Sequence, residues 1–250
     1  MNNNFEKNYN DSIKEIIKKF IESKNDYFLT EKDIHFHFFH YCLSKHTFEY
    51  NGRLLIHTEY PMPFKAKKTE DLSNPLEIIK DKDDGMRPHI DSVLINPKFI
   101  KWIIDNINDE DSIDDYIRGL TNKNFPDYIN HFRDKYNEFN DNILSYSLEF
   151  KYLRSGYDGI NEPLKNILYD LKKLELIGKK NKILNIPFSK KCTLLIFIGK
   201  RELIKKRGNI VEKLVSPEND YKELLKKFNR VEIGYSENKE RCVIHYDLIN

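Results

Sequence analysis

The chain has 250 residues, of which 39% are hydrophobic and 13% aromatic, with a formal net charge of +2. That is enough apolar material for a packed core and excludes a chain disordered by composition. No apolar run approaches the ~18 residues of a membrane span, and the start Met1-Asn2-Asn3-Asn4 lacks the basic and apolar regions of a secretion signal. The balanced charge gives no global attraction to a polyanion, although 200–207 is strongly basic and 105–115 strongly acidic. Cys42, Cys192 and Cys242 are widely spaced and form no CxxC pair, so a reducing cytoplasm is the expected setting.

In chain order, Ile13, Ile16, Ile17, Phe20 and Ile21 recur at helical spacing. Thr30 with Asp33 three residues on predicts a capped second helix, so 1–48 reads as a helical N-terminal part. Arg53 to Tyr60 reads as a strand ended by Pro61 and Pro63, followed by a polar loop over 65–85. His89 to Ile95 is a second strand, 98–140 a helical insertion, and Leu144 to Leu153 a third strand. Leu164, Ile167, Leu168, Leu171 and Leu174 predict a helix that stops at Gly178. Cys192 to Ile198 reads as a strand buried on both faces, 217–228 as a short helix, and 231–246 as a hairpin turning at 236–240. The pattern predicts one mixed α/β domain over 1–250.

Glu59, Asp91 and Glu149 each lie within or at the end of an apolar strand. Lys151 shares a face with Glu149, because residues i and i+2 of a strand point the same way. Burying such groups is costly unless something needs them. Phosphodiester hydrolysis does: carboxylates hold a divalent cation, Mg²⁺ for an all-oxygen set, and a lysine orients water or supports developing charge. Glu-x-Lys occurs at 22/24, 149/151 and 237/239, but only the middle copy interrupts an apolar strand.

The order helix, strand with Glu59, strand with Asp91, strand with Glu149 and Lys151, helix, apolar strand resembles the core of the PD-(D/E)xK nuclease superfamily over roughly 50–200. The resemblance implies a restriction-endonuclease-like mixed sheet flanked by helices, with the site where two central strands diverge. It implies Asp91, Glu149 and Lys151 as catalytic residues and Glu59, Asp91 and Glu149 as metal ligands. His89-Ile90 stands where Pro-Asp is named in the family, and the long gap from 91 to 149 requires the insertion at 98–140. Asp141 competes with Asp91 but falls before the strand. His89, Tyr152 and Arg154 are candidate substrate contacts.

The expected function is therefore a Mg²⁺-dependent endonuclease, with Mn²⁺ as a substitute ion. It would act on nucleic acid, with DNA preferred, in restriction or genome defence, and a homodimer is allowed for. The alternative is a non-catalytic nucleic-acid-binding or interaction module on the same scaffold. Asp170 and Lys173 read as a solvated pair on a helix's polar side. His35, His37 and His40 predict no metal cluster, since 35 and 37 point about 200° apart on a helix. There is no Walker A, G-x-G-x-x-G or G-x-S-x-G sequence.

Overall fold

A computed structural model of the chain describes residues 3–22, 30–44, 48–79, 85–106, 139–153, 161–180, 187–198, 210, 213–214, 219–235 and 241–249. Arg154, most of the insertion at 98–140, the basic segment 200–207 and the turn at 236–240 lie outside them.

Helix α1 (Asn3–Glu22) turns Tyr9, Ile13, Ile16, Ile17 and Phe20 inward, as its periodicity predicts. Its Tyr9 hydroxyl donates to the Ile95 carbonyl at 2.8 Å, tying the helix to the sheet. Helix α2 (Glu31–Leu43) starts at a reciprocal capping box. The Thr30 N–H donates to Asp33 Oδ2 at 2.7 Å and the Asp33 N–H to Thr30 Oγ1 at 3.3 Å, satisfying two donors at the helix start. Ile34, Phe38 and Cys42, four residues apart, form its buried stripe.

The strands are β1 (Glu49–Tyr50), β2 (Arg53–Leu54), β3 (Ile56–Pro61), β4 (Ala66–Lys68), β5 (Leu76–Ile78), β6 (His89–Ile95), β7 (Leu144–Leu153), β8 (Ser189–Ile198), β9 (Phe228–Tyr235) and β10 (Arg241–Leu248). Between β6 and β7 lies α3 (Pro97–Asn106), between β7 and β8 lies α4 (Asn161–Gly178), and before β9 lies α5 (Asn219–Leu225). The main sheet has the order β3-β6-β7-β8-β10-β9. Only β7 and β8 run parallel, joined through α4; the other neighbours are antiparallel. A parallel pair needs such a crossover, whereas the β9–β10 hairpin needs only a turn.

Two short ribbons depart from the sequence reading. β1 and β2 turn at Asn51 (φ 50°) and Gly52 (φ 71°), the two positive-φ positions of a type I′ hairpin. Within the expected loop at 65–85, β4 pairs with β5. The Asp71 carboxylate accepts from the Ser73 N–H and hydroxyl at 2.8 and 2.7 Å, shaping the turn between them.

Alternate residues of β7 face opposite helical layers. Phe150 meets Phe20 of α1 and Phe38 of α2, with ring centroids 6.2 and 5.2 Å apart. Glu149 and Lys151 face α4. Helix α4 buries Leu164, Ile167, Leu168, Leu171, Leu174 and Ile177. Cutting one of these leucines to alanine costs about 2–5 kcal/mol by cavity formation. At its end, a Cβ on Gly178 would lie 2.3 Å from Leu248 Cδ2 and 2.7 Å from Cys192 Sγ, so glycine there makes room for these two side chains. Among the described residues, no helix is long and apolar enough to cross a membrane.

Candidate functional site

The site begins where β6 and β7 part. Their pairing runs from Ile95↔Leu144 to Ser92↔Leu148 and then stops, although β6 stays paired with β3 and β7 with β8. At the next position the Phe150 N–H donates to the Asp91 carboxylate at 2.8 Å, so a side chain takes the place of a ladder bond. The strands open around Asp91 and Glu149, and helices from both layers fill the fork.

From one side α2 contributes Glu31 and His35, four residues apart and therefore on one face. His35 Nε2 lies 3.2 Å from Asp91 Oδ2, and Glu31 Oε1 lies 3.0 Å from Lys151 Nζ. Glu31, His35 and Asp91 each offer a ligand atom within 4.8 Å of the others. From the other side α4 contributes Asp170 and Lys173. Asp170 Oδ2 is 2.8 Å from Lys151 Nζ and its Oδ1 is 2.9 Å from Lys173 Nζ. Lys173 Nζ reaches Glu149 Oε1 at 2.6 Å and donates to the His89 carbonyl at 2.9 Å.

The burial of these charges decides their chemistry. Glu149 is 0% exposed, Asp170 3% and Lys173 5%. Burial pushes Asp91 up, but the His35 contact and the charges of His35, Lys173 and Lys151 overcome it and hold Asp91 at about 2. Glu149 goes the other way: burial raises it well above the ordinary carboxylate range, and Asp91 and Asp170 reinforce the rise against Lys173 and Lys151. For both lysines burial favours the neutral amine, but Asp170 and the other carboxylates raise them and keep the ammonium. The 2.6 Å contact alone implies a carboxylate–ammonium pair, yet three further charges act on Glu149. In this cluster both lysines stay charged, while Glu149 is raised and Asp91 lowered.

Neither Glu149 oxygen has a directed hydrogen bond, and Oε2 has no ion-pair contact either. Asp170 Oδ2 and His35 Nε2 are likewise buried without one. Asp170 Oδ2 and His35 Nε2 have charged neighbours in Lys151 and Asp91, so Glu149 Oε2 is the unsatisfied atom. Buried polar atoms are nearly always satisfied, and such an atom marks a place for a ligand.

Of the residues singled out in the sequence, Asp91, Glu149 and Lys151 share this cluster. Glu59 does not join it. It lies opposite Asp91 on edge strand β3, in the left-handed region at φ 51°, and its 62% exposed side chain approaches His89 Nδ1 at 3.7 Å. The half-exposed His89 ring faces Glu59, while its backbone carbonyl serves Lys173. Tyr152 packs partly buried against the core on the face opposite Lys151. Asp141 lies outside the fork, with Oδ2 3.8 Å from Lys98 Nζ.

Four members escaped the sequence reading. Asp170 and Lys173 are paired as expected but buried, not solvated. The signal was there: Ile167, Asp170, Leu174 and Ile177 form one apolar stripe, which Asp170 interrupts. His35 belongs to a candidate ligand set after all, because its partners are Glu31 on its own helix and Asp91 on a distant strand, not the neighbouring histidines.

Fold and site together define a mixed α/β protein with a buried carboxylate–lysine cluster at a strand fork. No protein-family model, curated protein or solved structure matches this chain.

Proposed function

We propose that the protein is a metal-dependent nuclease of the PD-(D/E)xK kind, with a restriction-endonuclease-like core formed by β3, β6, β7, α4 and β8. The observation that carries this reading is the meeting of Asp91, Glu149 and Lys151 at the β6–β7 fork around an unpartnered, fully buried carboxylate oxygen. The donor set fits the ion: Asp91, Glu149 and Glu31 offer hard oxygens suited to Mg²⁺, and His35 adds a nitrogen that Mn²⁺ accepts. A bound ion of this kind polarises a phosphoryl oxygen and lowers the pKa of its water.

The chain's own groups do the rest. Lys151, held between Glu31 and Asp170, keeps its charge for the water or the developing negative charge at phosphorus. His35 and the Phe150 N–H fix the Asp91 carboxylate, and burial keeps bulk water from Glu149. Nucleic acid, with DNA preferred, is the substrate class, and its affinity is expected to fall with salt as Lys and Arg contacts to phosphate are screened.

The test is cleavage of supercoiled plasmid, single-stranded DNA and RNA in Mg²⁺, Mn²⁺ or EDTA by wild type and Lys151→Ala. Wild type is expected to cut in either metal but not in EDTA, and the variant to lose at least about 10²-fold. One observation favours a non-catalytic binding module: Lys151 and Lys173 already bridge three of the four carboxylates. Wild-type inactivity on every substrate and metal, with binding retained, would establish that module instead.

A further inference from the structure

The two flanks of Glu149 are not equivalent. On the α4 side, Lys173 Nζ has three oxygens around it: Glu149 Oε1 at 2.6 Å, Asp170 Oδ1 at 2.9 Å and the His89 carbonyl at 2.9 Å. An ammonium has three N–H groups, and three oxygens stand within 3 Å of this one, two as ion-pair partners and the His89 carbonyl as a hydrogen-bond acceptor. On the α2 side, Glu31, His35 and Asp91 gather ligand atoms within 4.8 Å, and Lys151 Nζ reaches only the Glu31 member of the set, at 3.0 Å. Glu149 thus has one oxygen committed to a lysine and the other, Oε2, buried and unpartnered.

We propose that Lys173 is an internal cation occupying one of two cation positions in this site, so that the protein binds a single divalent ion on the α2 side. Charge balance supports the count. With Glu149 ionised by the cation it would bind, Glu31, Asp91, Glu149 and Asp170 carry four negative charges, Lys151 and Lys173 carry two positive ones, and one divalent ion makes the cluster neutral. A second ion would leave an uncompensated double positive charge in a buried setting, where unpaired charge is heavily penalised. In two-ion sites the metals lie ~3.5–4 Å apart and share carboxylates. Here Glu149 and Asp170 already share theirs with an amine. Lys173 is a positioning residue in this scheme: it holds Glu149 and fixes the metal count.

The inference rests on the metal-dependent reading, and metal stoichiometry separates the two. Mn²⁺ binding to the full chain is titrated by calorimetry and by the spin resonance of free Mn²⁺, for wild type, Lys173→Arg, Lys173→Met and Lys173→Gln. The expected result is one Mn²⁺ per chain for wild type and Lys173→Arg, and a second, weaker one in whichever neutral variant folds. Two ions on wild type would overturn the inference while leaving the nuclease reading standing. One ion on wild type and still one on a folded neutral variant would also overturn it. No bound Mn²⁺ on wild type would overturn both.

Discussion

Helix α4 takes part in two ionic clusters that look alike in sequence and differ in physics. Glu175 lies between Lys172 and Lys227, with oxygen–nitrogen distances of 2.9 and 2.5 Å. Burial pushes its carboxyl up, but hydrogen bonds from both lysines win and hold it below its ordinary value. Glu149 also has a lysine at close range, yet it is raised, because burial and the neighbouring Asp91 and Asp170 outweigh that partner. The first carboxylate is satisfied and stabilises the fold. The second is held in a state that costs stability, and a fold tolerates such a cost where a ligand relieves it.

The largest expected effect is on activity. Glu149→Gln should reduce metal-dependent cleavage by about 10³-fold or more, as expected when a ligand of the reacting centre is lost. Glu175→Gln should leave cleavage within about twofold of wild type. Equal losses in the two variants, in a plasmid-nicking assay, would erase the distinction.

Stability should show the reverse order. By urea denaturation at pH 7, Glu175→Gln should cost about 2 kcal/mol, the usual scale for a hydrogen bond to a charged group. Glu149→Gln should unfold at the same urea concentration as wild type or a higher one. A Glu149→Gln variant less stable than Glu175→Gln would show that Glu149 is a structural partner.

The pH dependence sharpens the contrast. Asp91, at about 2 in the folded chain against an ordinary 3.8, contributes stability above pH 3.8 that is lost as pH falls through about 2. Asp91→Asn should therefore cost about 2 kcal/mol near neutrality, converging with wild type in acid. Glu149 is raised, so its contribution is complete below its ordinary 4.5 and is lost as pH rises. The advantage of Glu149→Gln should grow from pH 4.5 upward. Thermal melts from pH 3 to 8 test both signs.

The smallest effect is expected on the edge strand. Glu59 adopts φ 51°, a region that suits glycine. Glu59→Gly should change stability by no more than about 1 kcal/mol, in the favourable direction, and leave cleavage nearly intact. A large loss of Mn²⁺ affinity in this variant would bring Glu59 back into the metal site.

Much of the scaffold was legible in the sequence because its signals are local. Thr30 and Asp33 announced a cap through spacing alone, and Leu164 to Leu174 announced α4 through helical period. The two-residue period of a strand is enough to put Glu149 and Lys151 on one face of Leu144 to Leu153. The β4–β5 ribbon was missed because its strands are only three residues long, and its turn is set by Asp71 side-chain bonds. Asp170 was misread because an i,i+3 acid–lysine pair resembles any solvated helix pair until the apolar stripe through it is traced.

By itself the sequence determined the long helices and strands and the presence of strand carboxylates with a neighbouring lysine, because each depends on residues a few positions apart. Only the tertiary structure decided which charges meet: Glu31 and His35 with Asp91 and Lys151, and Lys173 with Glu149 and the His89 carbonyl. Ionic pairing and desolvation depend on distance through space, and the β6–β7 fork, where the ladder gives way to the Asp91 side chain, forms only when strands far apart in the chain are laid side by side.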